Sequence, residues 1–118
     1  MTDARGDLGR AGEAAAAEHL GSRGLEILER NYRCRAGEVD LVAVEGGVLV
    51  FVEVKTRSGR GYGLPAEAVT PAKQRRLRQV ASQYLQERRP PQQDLRFDVV
   101  EVLGRPGSFH LQHLRGAF

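Results

Sequence analysis

A chain of 118 residues with 41% hydrophobic residues suffices for one compact domain, residues 1–118, with a single core and little left over. No apolar run approaches the roughly 20 residues that span a bilayer, and Asp3, Arg5 and Asp7 stand where a signal peptide would be apolar. The single Cys34 excludes an internal disulfide and a cysteine zinc cluster, so the expectation is a soluble, cytoplasmic protein with no membrane partner and an ordinary, partly buried thiol.

The first predicted element is an alanine-rich helix from Leu8 to Arg23, stopping near Gly24. Glu13 and Leu20 are seven positions apart and point within about 20° of each other, so Glu13 shares the face of the helix's main large apolar residue. Ala16 and Ala17 flank that stripe, and such small residues let the helix approach a sheet closely enough for Glu13 to reach it. The plainer reading of Glu13 is a rim carboxylate near the helix N-terminus. Leu25 to Arg33 then reads as a first strand, followed by a turn at Arg35-Ala36-Gly37.

Two strands come next, G-E-V-D-L-V from Gly37 and V-F-V-E-V-K ending at Lys55, joined through Glu45-Gly46-Gly47-Val48. A tight Gly-Gly loop is a strong hairpin signal. If Glu45 faces Val48, residue numbers of partners sum to about 93 by simple addition, which sets Asp40 opposite Glu53 and Glu38 opposite Lys55 on one face. Three carboxylates and one ammonium then converge inside otherwise apolar strands, where a charge needs a reason. A Glu38–Lys55 salt bridge at the solvated end of a hairpin is the plain alternative. Asp40 facing Glu53 argues against it, because a like-charge cross-strand pair is destabilising unless a cation lies between.

The stretch from Arg57 to Pro65 is rich in glycine and carries Arg57, Arg60 and Tyr62, a composition suited to a nucleic-acid backbone and predicted to form a loop. Thr70-Pro71 marks a helix start, with Thr70 as N-cap. Leu77, Val80, Ala81, Tyr84 and Leu85 form one apolar stripe for packing on the sheet. Lys73 and Gln74 lie near the edge of that stripe and can look toward the sheet's charged end, and Arg75, Arg76 and Arg78 continue a basic surface. Pro90-Pro91 closes the helix. Leu95 to Leu103 reads as a strand and Phe109 to Leu114 as a short last one, with His110 and His113 expected at the surface or an edge.

Carboxylates converging on one point call for a hard cation, Mg2+ or Mn2+, and a bound magnesium can make a nucleophile of water. In this reading Asp40 and Glu53 hold the metal, Glu13 or Glu38 assists, and Lys55 positions the attacking water or neutralises developing charge. Arginine outnumbers lysine sixteen to two, which singles out Lys55 and Lys73. Only a lysine offers a compact ammonium whose pKa can shift.

These residues carry a resemblance. G-E-V-D-L-V, a hairpin and V-F-V-E-V-K-T-R resemble the active-site core of the PD-(D/E)XK nuclease superfamily. R-A-G-E-A-A-A-A-E-H-L, N-Y-R-C-R-A-G-E-V-D-L-V, F-V-E-V-K-T-R and A-V-T-P-A-K-Q-R-R-L resemble the YraN-like family of small bacterial proteins, over about the first 85 residues. The resemblance implies a restriction-endonuclease-like α/β fold, similar to Holliday junction resolvases. Its order would be αβββαβ with an optional last strand, built on a central mixed sheet whose β-hairpin carries the site between flanking helices. It also implies catalytic positions at Asp40, Glu53 and Lys55, with Glu13 as an additional acid, and a metal-dependent nuclease acting on DNA, with branched or junction-like DNA as one substrate. A junction would suit a homodimer with two symmetric sites. The alternative is a nucleic-acid-binding adaptor that keeps the fold without catalysis.

Overall fold

The computed structural model describes residues 4–58 and 69–118, in the order α1 (Ala4–Ser22), β1 (Glu26–Cys34), β2 (Gly37–Glu45), β3 (Val48–Arg57), α2 (Pro71–Arg88), β4 (Asp94–Leu103) and β5 (His110–Leu114). The five strands form one mixed sheet in the order β1-β2-β3-β4-β5. All neighbours are antiparallel except β3 and β4. A parallel pair needs a long crossover, and α2 lies within it. The order of helices and strands is the expected one; the glycine-rich stretch from Gly59, with Arg60 and Tyr62, lies outside the described residues.

Gly46 and Gly47 take φ of 55° and 84°. Two consecutive positive φ values match the twist of a two-residue hairpin loop and are open to glycine at little cost. The turn sets the predicted register, Glu45 against Val48 through to Leu41 against Val52.

Each face of the sheet carries one helix. On one side Ala16, Ala17 and Leu20 of α1 pack on Leu41, Ala43, Val50, Val52, Val100 and Val102, all buried. On the other, Leu77, Val80, Ala81 and Tyr84 of α2 cover Val42, Leu49, Phe51, Phe97 and Val99. Burying each of these larger aliphatic side chains contributes about 1.5–3 kcal/mol relative to exposure.

Helix α1 comes close because it presents small residues. A Cβ built on Gly12 would fall onto the side chain of Thr56 in β3, so glycine sets how near the helix lies to the strand just before Glu13. Helix α2 begins as predicted, the Thr70 hydroxyl oxygen accepting the N–H of Lys73 at 3.2 Å. It ends at Arg89, whose φ of 45° is left-handed and whose N–H reaches the Leu85 carbonyl at 3.0 Å. Its middle is locked by aromatic edges, with Tyr84 meeting Tyr32 at 5.0 Å and Phe51 at 5.6 Å between centroids.

Both histidines lie on β5, an edge strand of the sheet, as expected. His110 is exposed, whereas the side chain of His113 is only 5% exposed, its Nε2 lying 2.7 Å from Oδ2 of fully buried Asp98. Arg96 donates two bonds to the same carboxylate and a third to Glu45, and the Gly116 N–H donates a further one to Asp98. Burial alone would raise Asp98, but His113, Arg96 and the Gly116 N–H outweigh it and hold it down at about 2. No spacing rule marks a histidine whose partner lies across the β4–β5 pair. Among the described residues no helix is long and apolar enough to cross a membrane.

The close approach at Gly12 gives a direct test. Gly12→Ala should drive Cβ into Thr56 and destabilise the fold by roughly 1–3 kcal/mol, read as a lowered midpoint in urea unfolding with an unchanged slope.

Candidate active site at the fork of β2 and β3

The β2–β3 ladder ends at Leu41 and Val52. Beyond it Oδ2 of Asp40 accepts the N–H of Val54 at 2.7 Å, so a side chain occupies the place where the next strand–strand bond would form. Strand β2 continues along β1, and β3 continues along β4 as far as Arg57 and Leu103. The two strands therefore part at Asp40.

A break in alternation accompanies the fork. Leu41 lies in the cluster under α1, whereas Val39, two residues earlier, lies in the cluster under α2. Strict alternation would put both on one face. The β1–β2 ladder pairs Arg30 with Leu41 and Tyr32 with Val39 and passes over Asn31 and Asp40 between them. Asn31 takes a φ of 53°, a left-handed value that asparagine tolerates better than most residues. Asp40 sits at this reversal of faces and touches groups from both layers.

On the α1 side, Glu13 lies against Asn31 and Asp40. Burial and the Asp40 charge push its carboxyl up, and the contact with Asn31 partly offsets them. On the α2 side lies Glu53, 9% exposed, with Lys73 Nζ 3.5 Å from its Oε2. Desolvation first, then Glu53 beside it, raises Asp40 to about 7, against the smaller opposing effects of the Val54 N–H and Lys73. A cleft of about 410 Å³ opens here, lined by Arg33, Glu38, Asp40, Glu53, Lys73 and Arg76 among others, and Cys34 forms part of its wall.

Asp40, Glu53 and Glu13 are thus brought together, but the second predicted pair does not form. Glu38 turns to β1, where Oε2 accepts from Arg33 Nε at 3.0 Å. Lys55 lies beyond the ladder's end, next to Glu101 in the β3–β4 register, and does not line the cleft. The reason is the fork itself, since the register that would set Glu38 against Lys55 is interrupted at Asp40. Glu101 is buried, with Oε1 3.7 Å from Arg57 Nε, so Arg57 is directed at a carboxylate and its side chain is only 16% exposed. Gln74 gives its side-chain amide to the Val69 carbonyl at 3.1 Å, which secures the start of α2. Lys73 is the ammonium nearest the acids. Sequence spacing marked it as facing the sheet but not as a partner of Glu53, and Asn31 carried no sequence signal beyond being an asparagine in a strand.

The donor set of Asp40, Glu53 and Glu13 is all carboxylate oxygen. Among the described residues no group of three or more His, Cys, Asp or Glu side chains is disposed to hold a metal ion. The arrangement fits a hard cation that takes one or two carboxylates and otherwise keeps its waters, and does not fit a closed protein cage.

Asp40 holds its proton more tightly in the folded chain than in the unfolded one. Its contribution to stability is therefore full at pH below about 4 and is lost as the pH rises through about 7. Asp40→Asn keeps an oxygen for the Val54 N–H and removes the charge. In metal-free buffer it should raise Tm at pH 8.5 by roughly 4 °C or more, with no difference at pH 4; a lower Tm at pH 8.5 would contradict this electrostatic account.

Residues 12–102 match the family model described as Uncharacterised protein family UPF0102. Among curated relatives, a UPF0102 protein of Symbiobacterium thermophilum is 55% identical over 112 residues, covering 94% of this chain and 95% of that protein. One of Rhodococcus opacus is 53% identical with the same coverage, and one of Pelotomaculum thermopropionicum is 51% identical over the full length of both chains, 100% of each.

Proposed function

Because this chain belongs to the uncharacterised protein family UPF0102, the YraN-like family, whose name assigns no activity, we propose its function from the site: a metal-dependent nuclease hydrolysing phosphodiester bonds in DNA. The observation that carries this reading is the fork. Asp40 is held by the Val54 N–H beside buried Glu53, and burial first, then the neighbouring Glu53 carboxylate, raises Asp40 to about 7. A divalent cation relieves that repulsion, and the resemblance of the surrounding motifs to the PD-(D/E)XK superfamily supports the same assignment and a restriction-endonuclease-like core.

Asp40 and Glu53 would hold Mg2+ or Mn2+, with Glu13 on the far side of Asp40 as a further acid. The ion, when bound, supplies Lewis-acid polarisation of the phosphoryl oxygens. Lys55, on the strand that carries Glu53, would orient the attacking water or offset charge as it builds on the phosphate. Lys73 orients Glu53 through their ion pair before substrate arrives. Glu38, paired with Arg33, fixes the lip of the cleft. Branched or junction-like DNA is the substrate that the superfamily resemblance favours, and two symmetric cuts would require a homodimer.

One observation favours a second reading, a nucleic-acid-binding adaptor without catalysis. Lys55 does not line the cleft, and a lysine from α2 already partners Glu53.

Incubation with supercoiled plasmid, flaps and four-way junctions in Mg2+ or Mn2+ separates the two. Cleavage that a chelator stops, that Asp40→Ala abolishes and that Lys55→Ala slows by about 10²–10³-fold is the expected result. Binding without metal-dependent cleavage, unaffected by these substitutions, would establish the adaptor.

A further inference from the structure

We propose that the flank of α2 leading away from the carboxylate cleft, together with Arg35 in the β1–β2 turn, is the path of one nucleic-acid strand, gripped by its sugar–phosphate backbone. This rests on the nucleic-acid reading above and adds where the strand runs.

The path is set by helix geometry. Arg76, Gln79, Gln83 and Gln86 follow at i, i+3, i+7 and i+10 and fall within an arc of about 80°. That flank lies beside the apolar stripe of Leu77, Val80 and Tyr84, so it faces along the sheet toward the β1–β2 turn. Arg76 lines the carboxylate cleft, while Gln79, Gln83 and Gln86 line a second cleft of about 360 Å³ with Arg35, Ala36 and Ser82. The two clefts adjoin, since Ala36 precedes Gly37 and Gln79 is one helical turn beyond Arg76. From Lys73 to Gln86 the track is about 20 Å long.

Its chemistry is that of a polyanion site. The second cleft is lined by a guanidinium, side-chain amides and a hydroxyl, with no carboxylate among its lining residues. No aromatic residue lines it either, so it offers no platform for base stacking and reads backbone in preference to sequence. Glu87, next in sequence to Gln86, is already engaged by Tyr32 at 2.8 Å and by the Gln83 amide at 3.1 Å.

Neighbouring arginines sharpen the contrast. Arg33 is bound to Glu38, and Arg88 makes two bonds to Glu29. Arg35 and Arg76 form no ion pair among the described residues, although Arg76 borders three carboxylates. Gly37 provides the room for Arg76: a Cβ there would lie 3.0 Å from Arg76 Cδ, and its φ of 146° disfavours other residues. The aliphatic stem of Arg76 is thus laid across the start of β2, and the residue lines the carboxylate cleft, where a phosphate next to the scissile one would pass.

The test uses the full chain carrying Asp40→Asn, with a labelled single strand and a labelled four-way junction in chelator, read by fluorescence anisotropy across a salt series. Adding Arg35→Ala should weaken binding about 3- to 10-fold on any sequence and flatten the log–log salt slope by about 1. Gln79→Ala with Gln83→Ala should weaken it at unchanged slope, and Arg23→Ala, beyond α1 on the other face, should have no effect. Equal losses for Arg23→Ala and Arg35→Ala would reduce the effect to net charge and overturn the path. Binding unchanged by Arg35→Ala and by the double variant would overturn it while leaving the nuclease reading intact. No binding by the Asp40→Asn protein on either substrate would overturn both.

Discussion

The bond from the Val54 N–H to the Asp40 carboxylate substitutes a side chain for a strand at the point where two strands would otherwise stay paired. A backbone donor buried at that position needs an acceptor, and the sheet cannot provide one once β2 leaves. Asp40 meets that need, which ties the carboxylate to a fixed place and orientation. The same bond explains why the strands diverge, why a cleft opens there, and why residues from both helices reach one point. Glu13 arrives from above the sheet and Lys73 from below it, each on a helix whose depth is set by small or aromatic contacts elsewhere.

Charge is distributed unevenly between the two ends of the sheet. At the hairpin end Glu45 is bound by Arg96 and Arg115, and Asp98 by Arg96 and His113, so each acid has at least one close cation. Those acids are held at about 2. At the fork the pattern reverses, for Glu53 has one lysine at 3.5 Å, Asp40 has no ion pair among the described residues, and Asp40 rises to about 7. The described residues thus contain two clusters of acids, one neutralised by neighbouring cations and the other largely not. The first fastens the last strand to the core; the second lines the cleft.

Much of this was legible in the sequence because it depends on local rules. The Gly46-Gly47 turn dictates its own register, Thr70-Pro71 its own helix start, and the spacing of Leu77, Val80, Ala81 and Tyr84 its own buried face. Register pointed to Asp40 near Glu53 although the ladder itself stops at Leu41 and Val52, and Glu13 toward the sheet followed from helix phase. Where the reading stopped, the cause was contact between distant segments. The face reversal between Val39 and Leu41 depends on Asn31 in another strand and cannot be seen in β2 alone, so extrapolating the register past Asp40 set Glu38 against Lys55. His113 is an edge histidine as read, but its pairing with Asp98 was not legible because Asp98 is brought alongside only when β5 folds back on β4. Lys73 looked like part of a basic helix face because nothing in its neighbours records the distance to Glu53.

The order of pairing along the chain gives the unbalanced acids a role before the fold is complete. Strands β2 and β3 meet through a two-residue turn, a local closure with little entropic cost, whereas Val48 reaches its partner Asp94 only after the whole crossover has formed. Asp40 and Glu53 lie one residue past the end of that ladder and come near each other once the hairpin forms, while Lys73 reaches Glu53 only when α2 docks. During that interval no lysine offsets their repulsion, and a proton would relieve it as it does in the finished site. The residues that open the cleft thus tie the early stages of refolding to acidity, a dependence that a sheet with neutral side chains at those positions would lack.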